Sequence, residues 1–145
     1  MKKIILAVSI LMIAFTSNAF ASEESIPANV IRSFKHAFYG ASDVSYSEVN
    51  DMIRVTFSME GRKNVAYYHA NGELVVLTQA MKISEFPQSL QNDLQQRFSE
   101  YVVTDSYKFE KDGSVEYYLI LDNSEKHVIL QSSGKKWKTF QITRK

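Results

Sequence analysis

Two stretches about sixty residues apart carry the same pattern, SIPANVIRSFKHAFYG and EFPQSLQNDLQQRFSEY. Ile26-Pro27 answers to Phe86-Pro87, and Val30, Phe34 and Phe38 fall opposite Leu90, Leu94 and Phe98. Apolar residues at every fourth position form one stripe along a helix, so both stretches read as amphipathic helices. Each has Pro where the first turn needs no N–H, and Gly40 closes the first as a residue able to take positive φ. A repeated unit constrains the fold more than any composition figure, because each copy must bury the same face.

Strand-like runs follow each helix. After the first they are 43–48, 53–59, 64–69 and 73–79; after the second, 103–110, 115–121, 126–131 and 136–143. Between them stand turn signals such as Glu60-Gly61, Asn71-Gly72, Asp112-Gly113 and Ser133-Gly134. Short runs rich in Val, Ile, Tyr and Phe, punctuated this way, predict antiparallel hairpins. The fold expected is α+β: two tandem repeats, about 26–80 and 86–143, each one α-helix followed by a four-stranded antiparallel β-meander, with the helices on one face of the sheet.

Alternation then assigns faces. Ile53, Val55, Phe57 and Met59 point one way and Arg54, Thr56 and Ser58 the other. The same reasoning places Tyr68, Tyr118, Ile120 and Ile129 on the face away from the helices, though a register slip of one residue would exchange faces in any strand. Tyr is enriched at binding hot spots, and an apolar outer face needs a reason to exist. Tyr68, Tyr118, Ile120, Ile129 and Trp137 are therefore the candidate binding residues. Trp137 lies in SSGKKWKTFQITRK, where lysines around an aromatic suit a last, edge strand better than nucleic acid.

The start, MKKIILAVSILMIAFTSNAFASEES, has two lysines, a short apolar run and Ala19-Phe20-Ala21, which is the layout of an export signal cleaved after Ala21. The run falls short of the roughly 20 residues that span a bilayer, so no transmembrane segment is expected after cleavage. Residues 22–145 then form the mature domain, in the periplasm or outside the cell. Absence of cysteine excludes disulfides, a lipidated cysteine and thiolate chemistry. The net charge of +1 becomes −1 without Lys2 and Lys3, leaving no electrostatic footprint for nucleic acid.

The order of these pieces, Ile26-Pro27, the Val30/Phe34/Phe38 stripe, Gly40-Ala41-Ser42-Asp43-Val44-Ser45-Tyr46 and Ala70-Asn71-Gly72-Glu73-Leu74, resembles the secreted bacterial PepSY-like, beta-lactamase-inhibitor-like proteins. The resemblance implies helix-plus-sheet units with a free sheet face, as in the inhibitor whose sheet grips an enzyme. The chain is shorter than that inhibitor, lacks its cysteines and shows no matching inhibitory loop.

Catalytic machinery is not visible. His36, His69 and His127 have no shared ligand spacing, no Ser sits on a sharp nucleophile turn, and no phosphate-binding glycine motif occurs. No enzyme activity, metal or cofactor is expected. The function expected is an exported, non-enzymatic module binding a protein or peptide, inhibitor-like; the alternatives are a carrier of a small apolar ligand between helices and sheet, or a structural envelope component.

Overall fold

The computed structural model describes residues 21–145, so the expected export signal, apart from Ala21, lies outside the described residues. Two helices, α1 (Ala28–Ala37) and α2 (Gln88–Arg97), alternate with two sets of strands. The first set is β1 (Ser42–Val49), β2 (Met52–Met59), β3 (Arg62–Tyr68) and β4 (Leu74–Ala80). The second is β5 (Val102–Lys111), β6 (Ser114–Asp122), β7 (Lys126–Ser132) and β8 (Lys138–Arg144). A single 3-10 turn precedes each helix, and Pro27 and Pro87 are the N-cap residues.

The expected arrangement of two tandem repeats, each with its own four-stranded meander, is corrected by the strand pairing. All eight strands join one antiparallel sheet in the order β1 to β8, and among the described residues the two helices are the minor part of a mostly sheet structure. β4 does not end a meander: it pairs with β5 from Leu77↔Glu110 to Ala80↔Tyr107. Met81 N–H continues the contact by donating to Ser106 O at 3.0 Å. An unpaired β4 would present a row of open N–H and C=O groups, and β5 satisfies them.

By contact the chain divides into two compact units, Met1–Val75 and Val76–Lys145. In the first, α1 lays Val30 and Phe34 on the sheet, with Phe34 packed edge-on to Phe57 at 4.9 Å between ring centres and Tyr46 at 6.2 Å. Phe38, just past the helix, completes the group at 4.7 Å from Phe57. Lys35 and His36 in the last turn suit the negative end of the helix dipole. At the sheet's edge, Ala21 N–H donates to Tyr46 O at 2.8 Å, a lone antiparallel bridge on β1.

In the second unit Phe86 and Leu90 from the α2 segment close over Leu119, Leu121, Val128, Leu130 and Trp137. Phe86 meets Tyr117 and Trp137 edge-on at 5.4 and 5.6 Å. Burial of such side chains is worth about 1.5–3 kcal/mol each, which is what holds a helix this short in place.

The hairpins follow turn chemistry. Asn50-Asp51, Glu60-Gly61 and Asp112-Gly113 all take positive φ at both positions, the mirror-image turn that matches strand twist. The hairpin at Asn71-Gly72 is built differently from these two-residue turns. Gly72 N–H bonds His69 O at 2.9 Å and His69 N–H bonds Glu73 O at 2.9 Å, so the loop has three residues and only Gly72 is left-handed, at φ +90°. A methyl group on Gly72 would lie 2.7 Å from Asn29 O and 2.9 Å from Ser33 Oγ of α1. Gly72→Ala should therefore destabilise by about 1–3 kcal/mol, measurable as a lower denaturant midpoint at unchanged slope.

Candidate binding face

In each unit one sheet face carries the helix and the other does not, and the cross-strand register says which residues lie where. In the first unit Phe57 faces α1, so Val55 and Ile53 do too, and their partners Asn64, Ala66 and Tyr68 share that face. Tyr68 is thus on the helix side, 1% exposed, not on the face where alternation put it. The reason lies in Ala66 and Asn64: both look like surface residues, yet fully buried Ala66 gives the space a larger residue would fill, and Asn64 Nδ2 satisfies itself on Arg62 O at 3.0 Å. The Tyr68 hydroxyl has no hydrogen-bond partner among the described residues, and burial pushes its pKa up to about 12.

The helix-free face of this unit bears the row Ser47, Arg54, Tyr67, opposite one another on β1, β2 and β3. Arg54 is 8% exposed and donates from Nε to Ser47 Oγ at 3.0 Å; Tyr67 is fully buried. Burial raises the Tyr67 pKa to about 12, against the opposing pull of the Arg54 charge and hydrogen bond. Sequence reading missed this row because an arginine alternating with Thr56 and Ser58 looks like solvent-facing surface.

Phenols whose folded pKa is raised contribute stability that is complete below the unfolded value near 10 and lost as pH rises through about 12. Unfolding free energy should accordingly fall over that alkaline window, and Tyr67→Phe should flatten the fall. A pH series of urea melts followed by circular dichroism measures it.

In the second unit Leu119 and Leu121 belong to the core under α2, so Tyr118 and Ile120 face the other way. Three rows assemble there: Asp105, Ile120 and Ile129; Tyr107, Tyr118 and Gln131; Phe109 and Glu116. Tyr118 is wholly buried beneath its neighbours, with Phe109 at 4.6 Å and Phe140 at 6.3 Å between ring centres. Its hydroxyl donates to Glu116 Oε2 at 3.1 Å, and Tyr107 donates to Asp105 Oδ1 at 3.3 Å. Burial, then the Glu116 charge, lifts the Tyr118 pKa well above the ordinary phenol value. Ile120, Tyr107 and Gln131 remain half-buried and reachable. Over this buried aromatic layer Ile120 and Tyr107 leave a small apolar area beside the carboxylates of Asp105 and Glu116, able to cover a partner's side chain and accept hydrogen bonds from its amides or basic groups.

Trp137 lies elsewhere. It is 2% exposed in the core under α2, with its indole N–H donating to Leu90 O at 2.9 Å. Its backbone N–H donates to Asp93 Oδ2 at 2.8 Å, while Arg97 Nη1 donates to Trp137 O and to Asp93, each at 2.9 Å. Buried Asp93 was invisible in the sequence, where it reads as the polar side of a helix. Of the histidines, His36 and His69 are exposed, and His127 Nδ1 lies 3.0 Å from Asp122 Oδ1. Among the described residues no group of three or more His, Asp or Glu is placed to hold a metal ion, and no helix is long and apolar enough to cross a membrane.

Solved structures share this fold at low identity. A Bacteroides eggerthii protein provisionally named periplasmic aligns at TM-score 0.74 and 14% identity over 82% of this chain and 88% of its own. A DUF2874 family protein from Bacteroides ovatus aligns at 0.73 and 16% identity, over 83% and 88%. A BLIP-like protein from Bacteroides fragilis aligns at 0.69 and 14% identity, over 88% and 89%. No protein-family profile matches the chain, and no curated protein does. The fold is thus one that BLIP-like and DUF2874 proteins share.

Proposed function

We propose that this chain is an exported, non-enzymatic binding module of the PepSY-like kind, inhibitor-like in its use of a sheet, which grips a protein or peptide through its helix-free face. The observation that carries this reading is the aromatic surface of the second unit. Tyr118 is locked in place by Phe109 and Glu116, and around it half-buried Ile120 and Tyr107 offer apolar area on a rigid sheet, with buried Ile129 beneath them. A prearranged aromatic centre with a polar rim is the usual anatomy of a binding hot spot. Tyr118, Ile120 and Ile129 serve as contact residues or their immediate support. Tyr68 and Trp137, buried on the helix sides, act by holding the strands that present them. The BLIP-like neighbour supports a binding role at the level of the fold.

A photo-crosslinking residue at position 120, compared with one at exposed Arg32 on α1, tests the face in the native exported fraction. An adduct from position 120 alone is expected, and Ile120→Arg should lower affinity for the captured partner at least about tenfold while the melting temperature stays put. Equal adducts from both positions, or none from position 120, would remove the face from consideration.

A further inference from the structure

Beside the C-terminal turn of α1 opens a groove of about 450 Å³, walled by Phe34, Phe38, Val44 and Tyr46. Its size falls in the range of about 300–1,000 Å³ typical of small-molecule sites. Lys35 and Glu23 stand at the same groove, Nζ to Oε1 at 2.7 Å, with their side chains 64% and 54% exposed. Next to them are two exposed large apolar residues, Tyr39 at 89% and Val44 at 37%. A sheet edge that gathers aromatic walls, one cation and one anion within a single concavity has a definite complement. It is a small molecule with an apolar body and both charges on one end.

We propose that this groove binds a free amino acid with a large apolar side chain. The α-carboxylate takes Lys35 and the α-ammonium takes Glu23, opening an exposed ion pair that contributes little by itself and is replaced by two new pairs. The side chain lies against Phe38 and Val44, where it covers apolar surface that is open in the free protein. This site is separate from the helix-free face and stands or falls independently of it.

The test is an NMR titration of the isotope-labelled chain with L-phenylalanine. Amide shifts confined to Glu23, Lys35 and residues 38–46 are expected, with a dissociation constant below about 1 mM. N-acetyl-L-phenylalanine amide, which lacks both charges, should bind at least about tenfold more weakly. Lys35→Gln, at an exposed position, should weaken phenylalanine binding by a similar factor and leave the melting temperature unchanged. Absence of groove shifts at millimolar ligand would overturn the proposal, and so would equal binding of the blocked amide.

Discussion

Trp137→Ala should cost about 3–5 kcal/mol of folding free energy, a large fraction of a typical domain's stability. The ring is 2% exposed and fills the space between Phe86 and Leu90 above Leu119, Leu121, Val128 and Leu130. Truncation loses the transfer energy of an indole and leaves a cavity that a sheet on one side and a helix on the other cannot fully close. Trp137→Phe separates the terms. It keeps an aromatic body against Phe86 and gives up the bond to Leu90 O, a net loss of about 0.5–1.5 kcal/mol for the bond. The backbone bonds of residue 137 to Asp93 and Arg97 persist in both variants, so the difference reports the side chain alone. Urea unfolding followed by circular dichroism is the suitable probe, since the chain's single tryptophan is the residue removed. A loss under about 1 kcal/mol for the alanine variant would contradict the packing described.

Phe34→Ala should have an effect of the same order, about 3–5 kcal/mol, in the first unit. Phe34 is 2% exposed and meets three rings at once, Phe38 at 5.5 Å, Tyr46 at 6.2 Å and Phe57 at 4.9 Å. Edge-on aromatic pairs add about 0.5–1.5 kcal/mol beyond area burial, so two of them, with Tyr46 and Phe57, fail together when this ring goes, along with the tilted contact to Phe38. Loss of Phe34 also releases α1 from the sheet, because only Val30 remains fully buried along a ten-residue helix. Phe34→Leu, which keeps volume without the ring geometry, should recover more than half of the loss. Denaturant midpoints of the three proteins under one condition decide it, and equal midpoints for Ala and Leu would rule out a packing role for the ring edge.

Both sites were partly readable beforehand. The stripes Val30/Phe34 and Leu90/Leu94 announced helices because a helix exposes its buried face at a fixed period, and the structure buries Val30, Phe34 and Leu90. The sequence around Trp137 suggests an edge strand and a candidate contact, since its lysine neighbours Lys135, Lys136 and Lys138 signal solvent. What draws it inward is Asp93, forty-four residues earlier, whose carboxylate takes the Trp137 N–H; no local pattern records such a pairing.

The faces of the sheet show the same boundary. In β6 the alternation of Leu119 and Leu121 with Tyr118 and Ile120 agrees with the observed register, because leucines mark the core side plainly. In β3 the alternation misleads, because Val65 and Tyr67 look more apolar than Asn64 and Ala66 while the small pair lies under α1. Tyr67, bound into the row with Arg54 and Ser47, takes the helix-free place that alternation assigned to Tyr68.

By itself the sequence located two helices and eight strands, with the strand ends within a residue or two, since apolar period, proline entry and positive-φ turn residues act over a few neighbours. It also excluded disulfides and thiolate chemistry, since there is no cysteine. Tertiary structure alone decided that β4 pairs with β5 to make one eight-stranded sheet, that Tyr67 rather than Tyr68 meets the helix-free side, and that Trp137 is core. Those outcomes depend on which edges find partners and which side chains fit beneath a helix, and both are set by groups far apart in the chain.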